Sequence, residues 1–329
     1  MSPTQRQLRL LYSDIVEGHS IAYFNESPVY IKHLNNIDIA EIDYLYNFSV
    51  KEAVSIGLPT QEEKTKYLIE NNLWEQSQED KLDELIKTRG TFSLNKGNEY
   101  LRSKRKMWDE QIKQINNDIR IIEYKKASLL GMTAESYANK KSNDEYIKTT
   151  FYSDKNLKKR RFENEDYYSL SEKDSGELFK ILNEFISNFS QDNIKRISLS
   201  SFFSIIFSLC PENITDLYGK PVIYLTLYQT DVFNWARYFR NMISNMSGNL
   251  PPEMTDDPDK LMEYLECNKQ YKKVEDGMKE TGTVSLMGAK KEDLEILGLQ
   301  AARKVDLNKE LKKRGGSMSG SEMMDLGLI

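Results

Sequence analysis

The stretch LNKGNEYLRSKRKMWDEQIKQINNDIRIIEYKKASL, residues 94–129, decides how the rest of the chain is read. Leu94, Leu101, Trp108, Ile115, Ile122 and Leu129 recur at every seventh residue, and Ile112 and Ile119 add a rung four residues after Trp108 and Ile115. Around them lie Arg102, Lys104, Arg105, Lys106, Asp109, Glu110, Lys113, Asp118 and Arg120. A helix built from this pattern has a narrow apolar stripe and a wide charged face, and the stripe has to be covered by a second helix. From about Asn98 to Leu130, where Gly131 stops it, such a helix spans about 50 Å at about 1.5 Å per residue.

The cover is either an earlier part of the same chain or a second copy. Thr60 followed by Glu63 is a capping box that opens a helix through Leu68 to about Trp74. Ser77 with Asp80 starts a continuation carrying Leu82, Leu85 and Ile86, which ends near Gly90, and residues 89–97, with two glycines, read as the turn. Trp108 is bulky for a two-stranded seam, and Asn98 and Arg105 place polar rungs in it. These features favour an antiparallel hairpin whose other arm is residues 61–88 over a parallel oligomer.

Working outward, Leu8, Leu11 and Tyr12 share a helical face, and after Gly18 the runs IAYF and VYIK, separated by NESP, read as a β-hairpin. Asn36 is placed to cap a helix carrying Ile39, Ile42, Leu45 and Tyr46, with a second short helix from Ser49 to Gly57. On the far side, Thr133 caps a short helix AESYANKK, and residues 151–168 are polar and aromatic without a clear period. Residues 177–189 form an amphipathic helix, and 194–209, the most apolar part of the chain, should be buried. After a turn at 218–221 and the run VIYL, a helix from Thr226 carries Tyr228, Val232, Trp235, Phe239, Met242 and Met246 along one seam. That seam is read as core, with a ligand groove or partner face as the other reading. NLPPEMTDDPDK reads as a connector, 259–279 as a polar helix, 282–288 as a loop, and 292–297 and 299–314 as short charged helices before the linker GGSMSGS.

The fold class expected is therefore mainly α. It comprises a small N-terminal α+β cap (1–58), a long antiparallel helical hairpin (59–131), a linking segment with a basic loop (132–170), a C-terminal helical domain (171–314) and a flexible tail with a docking peptide (315–329).

Composition sets bounds on function. With 51 acidic against 46 basic residues the net charge is −5, which supplies no whole-chain attraction to nucleic acid or a membrane. The 19 Tyr, 13 Phe and 3 Trp are enough large apolar surface for a real core. Cys210 and Cys267 lie far apart with no CxxC pair, which points to a reducing compartment. The longest apolar clusters, at 202–209 and 222–227, fall well short of the roughly 18 to 20 residues a membrane span needs. The start MSPTQRQLRLLYSD has no continuous apolar region, so a cytoplasmic protein is expected.

The chemistry is sparse. His19 and His33 are the only histidines, and neither has cysteine or carboxylate neighbours at metal-ligand spacing. GxxxxGK[ST], GxGxxG and GxSxG are all absent from the sequence. No catalytic residue, metal or cofactor is expected, and the chain is read as not an enzyme. Two recognition features remain. Lys155, Lys158, Lys159, Arg160 and Arg161, flanked by Phe151, Tyr152 and Phe162, combine cations for phosphates with rings for bases. Glu163, Glu165 and Asp166 follow at once, so a solvated or protein-contacting loop is the competing reading. At the C-terminus, Met323, Met324, Leu326, Leu328 and Ile329 sit behind the Gly/Ser linker, either as a docking peptide or as a frayed end.

Three stretches, GMTAESYANKK (131–141), YGKPVIYLTLYQTDVFNWARYF (218–239) and MGAKKEDLEILG (287–298), resemble proteins of large tailed bacteriophages. In those proteins, helical chains of this size accompany virion structural genes and act in tail or baseplate assembly. The resemblance covers loosely the C-terminal two thirds and carries no catalytic motif or functional residue. It implies a viral assembly or virion protein, located in the host cytoplasm or the virion, whose partners are other structural proteins. Together the readings give a non-enzymatic protein-interaction or assembly factor, with a nucleic-acid accessory protein using the 155–161 loop as the alternative.

Overall fold

The computed structural model describes residues 3–99, 101–244 and 257–265. The part of the expected polar helix beyond 265, the loop at 282–288, the helices at 292–297 and 299–314, the tail at 315–329 with its docking peptide, Met246 and Cys267 all lie outside the described residues. What is described is mainly helical, with a small three-stranded antiparallel sheet.

At the N-terminus, Thr4 caps α1 (Gln5–Glu17) through a capping box with Gln7, and Gly18, at φ 81, ends the helix in the left-handed conformation. The hairpin follows as expected. β1 (His19–Phe24) pairs with β2 (Ser27–Lys32) through Asn25 and Glu26, which both adopt positive φ (47 and 61), the conformation of a tight two-residue turn matched to strand twist. A third strand, β3 (Phe151–Tyr152), adds to β2 with Phe151 opposite Ile31. It comes from the segment whose lack of period concealed any strand. A two-residue strand is too short to show alternation.

α2 (Asn36–Ser55) is one helix rather than the two short ones expected. Asn35, not Asn36, caps it by accepting from the N–H groups of Ile37 and Asp38. Ser49 does not start a new helix, because it lies buried in the middle of α2 against α6 (Ala134–Thr150). The two helices meet on small side chains: Ser49 and Ala53 on α2, and Ala134, Ala138 and Ser142 on α6, all buried. Their four-residue spacing puts them in line on each helix and lets the backbones approach closely. Glu52 bonds both Lys141 (2.8 Å) and Tyr137 (3.5 Å) across the edge of this contact. Where the hairpin leaves and rejoins this pair, the N–H of Ala134 donates to the carbonyl of Pro59 (2.9 Å) and that of Gln61 to the Glu135 carboxylate (2.7 Å).

The hairpin consists of α3 (Gln61–Glu70), α4 (Gln76–Asn98) and α5 (Arg102–Leu130). Thr60 and Glu63 form the capping box read from the sequence. The turn is displaced. α4 runs through Gly90 and Gly97 to Asn98 and α5 begins at Arg102, so the two helices are not separated over the whole of 89–97 as the glycines suggest. A helical glycine costs only about 1 kcal/mol, and the α4 to α5 contacts beyond Gly90, Phe92 against Trp108 and the Lys96–Asp109 ion pair, offset it. Leu94 accordingly belongs to α4 and is 70% exposed, so it is not part of the seam. Along α5 the buried positions are Ile115, Ile119, Ile122 and Leu130, with Leu129 exposed. A straight helix of about 3.6 residues per turn drifts from a seven-residue repeat, and by the last turn the seam has moved by one residue. Opposite it, Leu68, Trp74, Leu82 and Leu85 pack on Ile122 and Leu130.

After β3 the chain forms α7 (Asn164–Tyr168), α8 (Glu172–Asn188), α9 (Gln191–Leu199), α10 (Ser201–Leu209), α11 (Ile214–Tyr218), a 3-10 turn (Val222–Tyr224), α12 (Leu227–Ser244) and a short helix over 258–265. One core joins segments far apart in the sequence: Leu8, Ile15, Val29 and Ile31 pack with Phe151, Leu178, Ile197, Phe203 and Val232. The stretch 194–209 breaks at Ser200 into two helices, and only one face of α10 is buried; Ile205 and Leu209 are 68% and 79% exposed. The chain divides into two compact units, with residues 90–113 in one and the remaining described residues in the other.

Candidate interaction surface

α2 spreads its apolar side chains around the helix among Asp38, Glu41, Asp43, Lys51 and Glu52 instead of gathering them on one face. A helix without a single apolar stripe leaves some of its large apolar side chains uncovered, and Tyr44 and Phe48, with Ile56 just past its end, are each more than half exposed. The 3-10 turn packs against this helix and presents three successive apolar side chains, Val222, Ile223 and Tyr224, all more than half exposed. Its position follows from what flanks it. Pro221 precedes it, and the Tyr224 N–H donates back to the Pro221 carbonyl (2.9 Å). Leu225 and Thr226 are buried, and the Leu227 N–H donates to the carbonyl of Leu34 (3.0 Å), just ahead of α2. With the backbone fastened on both sides, the three side chains point outward. In the sequence VIYL is simply an apolar run after a turn, and Pro221 and Gly219 at its start are the local cue to a short turn there. Val222, Ile223 and Tyr224 are adjacent in the chain, and large apolar side chains exposed together mark an interaction site more often than scattered ones do.

The basic loop is largely committed within the protein. Asp154 accepts from the backbone N–H groups of Asn156, Lys158 and Lys159 (2.7–3.1 Å for the closest contacts), which hold its carboxyl below the usual range. Lys155 pairs with Glu17 (2.9 Å) and Arg160 with Glu145 (2.9 Å). Burial raises the Glu145 carboxyl, but bonds from Lys148 and Arg160 outweigh it and the net shift is downward. Arg161 lies over the rings of Phe24 and Phe162, and Phe151, Tyr152 and Phe162 are buried rather than free for bases. Lys158 and Lys159 have no ion pair among the described residues. The tail residues Met323, Met324, Leu326, Leu328 and Ile329 lie outside the described residues.

One constellation has the residue types of nucleophilic catalysis. Ser20 Oγ and His33 Nε2 are 3.0 Å apart and buried, and the Ser20 hydroxyl also bonds the carboxylate of Asp14, whose acidity burial weakens. His33 Nδ1 has no partner among the described residues. If Ser20 gives its proton to Asp14, its oxygen accepts from His33 Nε2–H, and Nδ1 is left as a bare lone pair, which is cheaper to bury than an unpaired N–H. The imidazole then donates to the serine and cannot remove its proton, the reverse of what an activated nucleophile needs. Phe185, Phe189 and Tyr228 surround the ring. These contacts make His33 a packing residue. Among the described residues there is no cluster of three metal-ligating side chains and no helix long and apolar enough to cross a membrane. No protein-family model, curated protein or solved structure matches the chain.

Proposed function

We propose that the protein is a non-enzymatic interaction and assembly factor that docks another protein through α2 and the 3-10 turn at Val222–Tyr224. The observation that supports it is the exposure of Val222, Ile223 and Tyr224 on a backbone pinned beside a helix that itself exposes Tyr44, Phe48 and Ile56. Large apolar side chains on a preformed backbone lose little conformational freedom on binding, which favours affinity. The resemblance to tailed-phage proteins includes the stretch 218–239, which contains this turn, and makes a virion structural protein the partner we propose.

The test uses the full chain with a photo-crosslinker at Phe48 or Ile223, in cells that produce it. A stoichiometric protein adduct from position 48 that is lost in Ile223→Asp, and one from position 223 that is lost in Phe48→Asp, with Leu94→Asp as an exposed control that keeps both, supports the proposal. A monomeric protein with no stoichiometric protein partner, or adducts indifferent to these substitutions, rejects it. Single apolar anchors at such surfaces are worth about 1 to 3 kcal/mol, so a loss of about tenfold or more in affinity is required.

A further inference from the structure

The exposed face of α10 and the facing side of α12 enclose a half-open groove of about 460 Å³, within the range of about 300–1,000 Å³ typical of small-molecule sites. Its existence follows from the break at Ser200. The hydroxyl of Ser200 donates to the carbonyl of Arg196 (2.7 Å), ending α9, and α10 then sets out with Phe202, Phe203 and Phe207 turned into the core. That leaves Ser204, Ile205 and Ser208 on the groove side. From α12, Ala236, Phe239, Arg240 and Ile243 line the other wall, at the spacing of one helical face. Leu261, on the short helix over 258–265, closes the end, and that helix is held by Arg196 Nε bonded to Asp259 (2.7 Å).

Charge and hydrogen bonding narrow the class of ligand. The groove has one ionic lining group, the Arg240 guanidinium, and no carboxylate lines it. Arg240 has no acidic partner among the described residues, so an anion is the complementary charge. Of the hydroxyls, Ser198 and Ser208 are already spent on carbonyls of Ile194, Val232 and Ile205. The part of the groove lined by Ile205, Phe207, Phe239 and Leu261 offers no polar side chain to a peptide, whose own N–H and C=O groups would go unpaired there. An alkyl chain carries no such groups.

We propose that the groove between α10 and α12 binds a medium-chain alkyl carboxylate, a free fatty acid, with its chain along Phe239, Leu261 and Ile205 and its carboxylate at Arg240. Ser204, whose hydroxyl has no partner among the described residues, is available on the opposite wall to the same head group. Binding needs no rearrangement of the core, because the walls are set by Phe207, Ala236 and Phe239, which are buried.

Isothermal titration of the full chain with decanoate below its micelle threshold tests this, with 1-decanol as the uncharged control. The expected result is saturable one-to-one binding of decanoate that Arg240→Gln weakens about five- to tenfold, the range for losing one partly exposed charge-assisted bond. Decanol binding should be unchanged by Arg240→Gln. Ser204→Trp, at an exposed position that keeps the fold by its circular dichroism melt, should block both ligands. Absence of saturable decanoate binding overturns the proposal. So does binding that Ser204→Trp leaves intact, or an Arg240→Gln variant that affects acid and alcohol alike.

Discussion

Ser20 Oγ and His33 Nε2 meet at 3.0 Å between the β-hairpin strands, and the far side of the imidazole is packed against Phe189 and Tyr228. Burial, with the positive charges of His19 and Lys220 adding to it, pulls His33 down from 6.5 to about 3. The unfolded chain takes up this proton near pH 6.5, and the folded chain cannot until about pH 3. Stability is therefore complete above about pH 6.5 and declines as pH falls toward 3. Urea denaturation should show about 2 kcal/mol lost from this residue between pH 7 and pH 5. In His33→Gln, which keeps a donor for Ser20 but does not titrate, that part of the slope should vanish. Equal slopes in the two proteins would show that the ring is protonated in the native state.

The contact of α2 with α6 makes opposite predictions at neighbouring positions. The hydroxyls of Ser49 and Ser142 are buried with no hydrogen-bond partner among the described residues. Ser142→Ala removes an unsatisfied group and improves helix propensity, so it should stabilise by about 0.5 to 1 kcal/mol. Ala138→Leu adds volume where Ala53 and Ala134 leave no exposed surface, and should destabilise by about 1 to 3 kcal/mol. Paired thermal melts decide; two shifts of the same sign would contradict the close approach.

Glu79 ties the hairpin arms together, accepting from Trp74 Nε1 at 2.6 Å and from Lys126 Nζ at 2.8 Å. Glu79→Ala leaves the indole N–H and the ammonium, both on mostly buried side chains, without an acceptor. The expected cost is about 1 to 3 kcal/mol. In Lys126→Met the loss should be smaller, because the indole bond survives, and hydrogen exchange of α3 and α4 amides locates the effect.

In the basic loop, the prediction separates stability from binding. Arg160→Ala should lower the melting temperature, because Arg160 is half-buried against Glu145. Lys158→Ala and Lys159→Ala should leave it unchanged. Filter binding to single-stranded DNA, titrated with salt, then reports what cations remain. A log–log slope steeper than about −1.4 would require more than two phosphate contacts and would mean that the loop opens to use Arg160 or Arg161.

Much of this architecture can be read from local signals. The capping box at Thr60 and Glu63, the stop at Gly131 and the alternation around Asn25 and Glu26 each depend on residues within a few positions of one another. The failures share a different cause. Gly90 and Gly97 look like breakers, but whether they break is decided by Phe92 meeting Trp108 on another helix. Ser49 looks like a cap until Ala134 and Ala138 arrive from a segment far along the chain. Phe151 and Tyr152 become a strand only because β2 has an open edge. The exposed turn at Val222–Tyr224 was less legible still. Nothing in VIYL distinguishes a buried strand from an exposed turn, and the Leu34 to Leu227 bond that settles it joins residues nearly two hundred positions apart.

The pair of bonds at the hairpin base, Ala134 to Pro59 and Gln61 to Glu135, has a consequence for how such a chain can change. Because departure and return coincide, everything between them is a cassette. Lengthening, shortening or grafting a different helical arm there alters neither the register of α2 on α6 nor the sheet, so reach and recognition can diverge by insertion while the supporting body keeps its sequence.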